Sequence, residues 1–264
     1  VDGGTRIVRD HEPLNDTVFS PFASCSGPYN GTRTIGTGAS AHFTSLDKCL
    51  YALSRCGIDG PLTIKLPAGN YDVTHFPFIP GTSATNYVQF EPATANAVVT
   101  FVRPRGTFAG VANELVNLTE ARSIRFKNIR FVNGLYTENR CNVLARLGRN
   151  SSNCQFLNCT FIDSNAVAWT NGGINNSAQA LINSGYADSM LIKNCTFFGG
   201  KIGADISGAA ADDRSTGNTI QFNNFTGQAN SAISVVNQNH VFVDSNYCND
   251  VLTNSSYVIL AQHC

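Results

Sequence analysis

The sequence predicts an all-β chain folded as a right-handed parallel β-helix, a solenoid with a short N-terminal capping α-helix. The main observation is a segment that recurs at residues 124–131, 154–161 and 190–197 with the template apolar, any, Asn, apolar, any, Phe. Repetition of this kind is typical of solenoids, in which each repeat buries its apolar side only against its neighbours. Alternation of apolar residues around each Phe favours strands, and the preference for right-handed crossovers gives the hand. A β-sandwich with Asn-rich turns is the alternative.

The composition supports a β-rich, turn-rich extracellular or cell-surface protein. Charged residues make up only 14% of the chain, 18 basic residues balance 18 acidic ones, and there are 23 Gly. A balanced charge gives no reason to expect a nucleic-acid partner. No apolar run approaches the roughly 18 residues that a membrane span needs. We therefore expect neither nucleic-acid binding nor a membrane span.

Each copy of the template is expected to form a strand, a bend at the Asn and a second strand. Asn tolerates left-handed backbone angles and bonds to neighbouring backbone groups, which suits a sharp bend. We expect these Asn side chains to point inwards and to bond one another from coil to coil, beside a column of Phe side chains. Weaker copies place Asn224 and Ser245 at the same position. The expected ladder consists of Asn128, Asn158, Asn194 and Asn224, with Phe131, Phe161 and Phe197.

The N-terminal part is expected to differ from the coils. Residues 1–35 contain several Pro and Gly residues and predict an extended arm, and residues 36–264 predict a single β-helix domain. Within it, a helix at about 44–57 presents Leu46, Leu50 and Leu53 on one face and stops at Gly57. Such a helix covers the end of the stack, which otherwise exposes core and strand edges. Two insertions, residues 163–189 and 199–218, are expected on one face.

The nine cysteines predict disulfides rather than a metal site. No pair has the Cys-x-x-Cys spacing of a zinc site. Cys159 and Cys195 occupy one template position and are expected to be core residues. Cys49 and Cys56 lie about 10 Å apart along the predicted helix, too far to pair with each other, so Cys25 is the expected partner of either. The candidates for disulfides are Cys25, Cys49, Cys56, Cys141, Cys154, Cys248 and Cys264.

Several segments near the N-terminus resemble a known module. They are residues 34–36, the helix at 43–56, and residues 57–64, 68–71 and 79–90. Together, over roughly residues 32–102, they look like the opening of a β-helix module of large secreted surface proteins of Bacteroidota, within the pectate-lyase-like β-helix superfamily. The resemblance implies an extracellular or cell-surface location and an adhesin-like role.

Carbohydrate-cleaving enzymes also use this fold, so their sites were sought in the sequence. Hydrolysis requires clustered carboxylates, and the candidates are Asp205, Asp212 and Asp213, with Arg214 beside them. A lyase would need calcium held by 6–8 oxygen ligands, and the spacing of these residues and of Asp163 and Asp188 fixes no such set. We therefore expect no cofactor and no metal, with calcium as the possibility attached to a lyase.

Other residues are candidates for ligand binding. Several Arg side chains between 122 and 149 are expected to point outwards and to form a basic strip that attracts acidic polysaccharide, with ordinary exposed strand positions as the alternative. The single Trp lies in a long polar loop and is expected either to stack on a sugar ring or to cover the core. The ligand-binding candidates are Trp169, Tyr186, Arg122, Arg125, Arg146 and Arg149.

Two functions follow from these observations as expectations. The first is a non-enzymatic, adhesin-like or structural surface module, which binds surface polysaccharide or associates with copies of itself into filaments. Strand addition at the ends of the stack would produce such filaments. The second is a polysaccharide lyase or hydrolase acting on an acidic glycan.

Overall fold

The computed structural model describes residue 25 and residues 27–72, 75–103, 112–134, 141–148, 150–163, 180–208, 215–249 and 257–262. All strand pairs in this part of the chain are parallel, and they form three stacked sheets, as a parallel β-helix requires. The predicted fold class is confirmed. The longest of the three sheets has eight strands.

The first sheet runs the whole length of the stack. Its strands, in spatial order, are β1 (Tyr29–Thr34), β2 (Ile58–Leu66), β4 (Val88–Pro92), β7 (Ile124–Lys127), β10 (Gln155–Leu157), β13 (Leu191–Lys193), β17 (Thr219–Gln221) and β21 (Phe242–Asp244).

The second sheet follows the first after a sharp turn. Its strands are β3 (Gly69–Tyr71), β5 (Val99–Phe101), β8 (Arg130–Val132), β11 (Thr160–Asp163), β14 (Thr196–Gly199), β18 (Asn224–Thr226) and β22 (Tyr247–Asn249).

The third sheet closes each coil. Its strands are β6 (Ala112–Asn117), β9 (Cys141–Leu147), β12 (Ala180–Gly185), β15 (Ile202–Ser207), β19 (Ser231–Val236) and β23 (Tyr257–Gln262), and a small pair joins β16 (Ser215–Thr216) to β20 (Gln238–Asn239). Each segment expected to be an insertion, 163–189 and 199–218, therefore contains a strand of this sheet. The prediction was wrong because the repeated template covers only the first two strands of a coil.

Stacked phenylalanines fill the core, as the template predicted. Phe131, Phe161, Phe197 and Phe225 face inwards at successive positions of the second sheet and are buried. Their ring centroids lie 4.7, 4.8 and 4.5 Å apart with nearly parallel planes. Stacked rings of this kind add to the stabilisation from burial alone.

The predicted helix covers the first coil. It runs over Leu46–Cys56, and the Ser45 side chain accepts a hydrogen bond from the Lys48 backbone N–H. It ends at Gly57, whose φ is 68° and where a Cβ would lie 2.6 Å from the Pro80 carbonyl oxygen. Glycine is therefore required at this position. A disulfide joins Cys25 to Cys56, which confirms the partner predicted for the helix.

The asparagines of the template are in register, but their predicted role is wrong. Asn128, Asn158 and Asn194 follow strands that pair residue by residue, and their φ angles are 57°, 53° and 55°. All three side chains are exposed rather than turned inwards. They occupy this turn because Asn adopts the left-handed conformation easily; they do not form an internal ladder.

The fourth predicted ladder position is also wrong. Asn224 pairs with Thr196 in the second sheet, so it lies two residues beyond the turn. Phe222 occupies the left-handed turn position instead, with φ 57°, and Ser245 follows it in the next coil with φ 53°. The shift arose because the copy was aligned on its asparagine rather than on Ile220 and Phe225, which keep the apolar register.

An internal hydrogen-bonded ladder exists one residue after that turn. Cys159 and Cys195 lie there in the middle coils, and Asn223 and Asn246 replace them towards the C-terminal end. The Cys159 N–H donates to the Cys195 sulfur at 3.4 Å, and the Cys195 N–H donates to Asn223 Oδ1 at 2.8 Å. Asn223 Nδ2 donates to Asn246 Oδ1 at 2.9 Å. The cysteine sulfur and the asparagine amide oxygen therefore play the same part, because each accepts a hydrogen bond from a buried backbone N–H of the neighbouring coil.

The remaining described cysteines are free thiols, so their predicted disulfides are not formed. Cys49, Cys141 and Cys154 are buried, and Cys248 is half-buried. Burial raises the pKa of the Cys154 thiol to about 11, which keeps it protonated and unreactive. Cys264 lies outside the described residues.

Candidate functional site

The most distinctive surface lies at the corner where the third sheet turns into the first. This turn recurs at residues 118–123, 147–153, 184–189 and 235–240, with two left-handed positions each time. The first left-handed position holds Glu120, Asn150, Tyr186 and Asn237, with φ between 51° and 68°. Glu120, Asn150 and Tyr186 belong to successive coils and share this conformation, so side chains of different chemistry are stacked in one column.

Backbone pairing aligns these turns. Arg122 pairs with Ser152, and Ser152 pairs with Asp188, as isolated parallel bridges. The Ser123 N–H donates to the Ser152 carbonyl at 2.8 Å, and the Asn153 N–H donates to the Asp188 carbonyl at 3.0 Å. The turn is thus as regular as the sheets on either side, and its outward side chains are held in fixed relative positions.

The preceding coil adds an aromatic side chain to the column. His75 pairs with Asn117, and the Phe76 N–H donates to the Asn117 carbonyl at 2.9 Å. Three residues after this pair, Phe78 in one segment lies beside Glu120 in the other. The outward column therefore reads Phe78, Glu120, Asn150, Tyr186, with Arg122 and Asp188 beside it; these six residues are called the corner strip below.

A surface cavity of about 290 Å³ opens on the corner strip and is lined by Phe78, Glu120, Arg122 and Asn150. The Arg122 guanidinium carbon lies 5.9 Å from the centroid of the Phe78 ring, within the range of a cation–π contact. The wall below is rigid, because the Ser151 hydroxyl donates to the Leu118 carbonyl and accepts from the Gly148 N–H at 3.1 Å. An aromatic face, a guanidinium, a carboxylate and an amide thus converge on one opening.

The three described arginines among the ligand-binding candidates lie on different faces. Arg122 belongs to the corner strip. Arg125 lies on the first sheet with its guanidinium 3.5 Å from the Tyr87 ring centroid, and burial lowers the pKa of Arg125. Arg146 lies on the third sheet, 3.7 Å from a Glu114 carboxylate oxygen. The predicted basic strip is therefore wrong for these residues, whereas Tyr186 does lie on the same strip as Arg122. Trp169 and Arg149 are outside the described residues.

One acidic candidate lies in a partly buried position on the third sheet. Asn183 Nδ2 donates to Asp205 Oδ2 at 3.1 Å. Burial raises the pKa of the Asp205 carboxyl above its usual value, although hydrogen bonds from Ser234 and Asn183 oppose the shift. Asp212, Asp213 and Arg214 lie outside the described residues, so the predicted cluster is not tested.

No group of three or more His, Cys, Asp or Glu side chains that could hold a metal ion occurs among the described residues. Asp163 is buried at the end of β11, whereas Asp188 is exposed on the corner strip. In the described part of the chain, no helix is both long and apolar enough to span a bilayer.

The chain matches no family model, and none of the curated proteins is significantly similar to it. The surfaces of the β-helix itself are therefore the basis on which function is inferred.

Sequence reasoning identified Arg122 and Tyr186 but did not connect them, and it missed Phe78, Glu120 and Asn150. A signal was available. Residues 118–123 read Leu-Thr-Glu-Ala-Arg-Ser and residues 184–189 read Ser-Gly-Tyr-Ala-Asp-Ser. The shared Ala points into the core and is buried in both copies, so this short pattern marks the same corner in two coils.

Proposed function

We propose that this chain is a non-enzymatic structural module of the extracellular or cell surface that associates with a second copy of itself through its last coil. The observation that carries the proposal is the exposure of inward-facing side chains in the last described coil. Strands β21, β22 and β23 are the outer strands of the three sheets at this end. Unpaired strand edges offer a template for another chain.

The inward-facing side chains of the last described coil are more exposed than those of the coil before it. Ile259 pairs with Ile233, which is fully buried, yet Ile259 is 46% exposed. Cys248 pairs with the buried Phe225 and is only half-buried. Val243 pairs with the fully buried Ile220 and is likewise only half-buried. Together they make an apolar surface of the kind that marks protein–protein contacts.

The other end of the stack determines how two copies would associate. Helix α1 (Leu46–Cys56) already covers the first coil and is fixed by the Cys25–Cys56 disulfide. An open head-to-tail filament would require this helix to leave its place. A twofold pair of last coils buries both open ends at once, and a twofold interface is closed and self-complementary. We therefore propose an end-to-end pair as the unit of assembly.

Two further features support the surface location. The disulfide requires an oxidising compartment to form and persist. The resemblance of residues 32–102 to the β-helix modules of secreted Bacteroidota surface proteins favours an adhesin-like context.

The test is the molecular mass in solution as a function of concentration, measured by light scattering during gel filtration. The wild-type chain is expected to reach twice the monomer mass, and Ile259→Lys is expected to remain monomeric because a charge would be buried in the pair. Tyr51→Lys is the matched control, because Tyr51 is 47% exposed on the capping helix at the opposite end. A wild-type chain that stays monomeric at every concentration would rule out the proposal.

A second candidate function is a polysaccharide lyase or hydrolase acting on an acidic glycan. The raised pKa of Asp205 favours it, because a carboxyl whose pKa is raised is better suited to act as a general acid. The assay is product formation from pectin, alginate and glycosaminoglycans, with and without calcium. Activity that Asp205→Asn abolishes would support this function, and no turnover on any of these substrates would remove it.

A further inference from the structure

We propose that the corner strip binds a linear, uncharged polysaccharide that lies along the axis of the stack. This site is separate from the open last coil and does not depend on self-association. Two exposed aromatic side chains, Phe78 at 48% and Tyr186 at 40%, stand at the two ends of one column. Glu120 and Asn150 lie between them, and Arg122 and Asp188 lie alongside.

The spacing of the column suits an extended chain of sugar units. Phe78, Glu120, Asn150 and Tyr186 belong to four successive coils, so three strand spacings separate the two rings, which is about 14 Å. An aromatic ring offers an apolar face against which the C–H face of a sugar ring can pack. A ligand that contacts both rings must therefore be an oligosaccharide rather than a single sugar.

The polar residues between the rings match the hydroxyl groups of a sugar. The Glu120 carboxylate accepts hydrogen bonds, the Arg122 guanidinium donates them, and the Asn150 amide does both. The paired backbone of the turns fixes the spacing of these three residues before any ligand arrives, which reduces the backbone entropy lost on binding.

The charge of the strip identifies the class of glycan. Its two carboxylates, on Glu120 and Asp188, outnumber the single guanidinium of Arg122, so the net charge is negative. A polyanion would be repelled, and like charges brought together weaken binding. An uncharged glycan avoids this repulsion and still uses every hydrogen-bonding group.

The experiment measures binding of uncharged hexasaccharides by titration calorimetry, with cellohexaose, mannohexaose and xylohexaose as probes. At least one is expected to bind, and more tightly than its disaccharide. Phe78→Ala and Tyr186→Ala are each expected to lower the affinity about tenfold, which corresponds to the loss of one aromatic contact. Glu120→Gln keeps the shape of the side chain and is expected to weaken binding as well.

The matched control is Phe222→Ala. Phe222 is an exposed aromatic residue at 49%, in a left-handed turn, with the Lys193 ammonium 5.5 Å from its ring centroid. It shares with Phe78 an exposed ring and a nearby cation but lies at a different corner, so its removal should leave the affinity unchanged. Thermal melting of each variant verifies folding, and Glu120→Gln provides the test if an alanine variant does not fold.

Three outcomes would overturn the proposal. They are no binding of any uncharged hexasaccharide, an equal loss of affinity in Phe222→Ala and Phe78→Ala, or tighter binding of an oligogalacturonate than of the uncharged probes. Binding that depends on Phe78, Tyr186 and Glu120 but not on Phe222 would establish it.

Discussion

Removing one ring from the stacked phenylalanines tests whether the core is held together from coil to coil. Phe161 is fully buried in the middle of the column and contacts three rings: Phe131 at 4.7 Å, Phe197 at 4.8 Å and Phe156 at 5.5 Å between centroids. Phe225 is equally buried but has one such ring contact, with Phe197 at 4.5 Å. The same substitution at the two positions therefore removes similar apolar area but different numbers of ring contacts.

The expected magnitudes follow from these contacts. Replacing a buried Phe by Ala costs about 3–5 kcal/mol of unfolding free energy, and each aromatic pair contributes about 0.5–1.5 kcal/mol beyond area. We expect Phe161→Ala to cost about 5 kcal/mol and Phe225→Ala about 3 kcal/mol, because two additional pairs are lost at position 161.

Urea unfolding followed by circular dichroism measures the difference. With an m-value of about 3 kcal/mol/M, the midpoint should fall by about 1.7 M for Phe161→Ala and by about 1 M for Phe225→Ala. The exposed Phe222→Ala should change the unfolding free energy by less than about 0.5 kcal/mol. A second probe, tyrosine fluorescence, checks that the transition is cooperative, since long repeat arrays lose cooperativity. Equal shifts for Phe161→Ala and Phe225→Ala would refute the reasoning.

Three further predictions concern a covalent link, a carboxylate and an amide. Reducing the disulfide, or Cys56→Ser, should cost about 4 kcal/mol for a bond that spans 31 residues in sequence; an unchanged melting temperature after reduction would contradict this. Asp205 has a raised pKa in the folded state, so folding binds a proton between the usual Asp value of about 4 and the raised value, and stability falls as pH rises through that range. Asp205→Asn should therefore be more stable than wild type at neutral pH but not in acid, as denaturation at both pH values would show. Asn223→Ala leaves the Cys195 N–H without its acceptor and should cost about 2 kcal/mol, whereas Asn223→Cys should cost less because a thiol fills this position in the preceding coil.

The apolar register was the most predictable part of the fold. Phe131, Phe161 and Phe197 each lie three residues after the Asn of their turn. A parallel β-helix places residues with such a constant spacing directly above one another. The role of the asparagines was not predictable from the pattern alone. A left-handed turn and an inward ladder both favour Asn, and only the backbone shows that the side chains of Asn128 and Asn158 face solvent.

The corner strip was less accessible to sequence reasoning for a physical reason. Glu120, Asn150 and Tyr186 share the left-handed conformation although their side chains differ, so no single residue type marks the position. Where backbone pairing rather than the side chain determines the location of a residue, no residue type is preferred, and neither composition nor a motif reveals the position. Arg122 and Tyr186 were therefore found as separate candidates, and their common surface appeared only when the coils were stacked.

The free thiols of this chain lie at different distances from the two ends of the stack. Cys248 lies on the last described coil, Cys195 and Cys159 lie in successive coils further in, and Cys49 lies on the buried face of the capping helix. An alkylating reagent reaches each sulfur only after the coils above it have separated. The order in which these cysteines are labelled would therefore show from which end the solenoid unravels, with no foreign probe introduced.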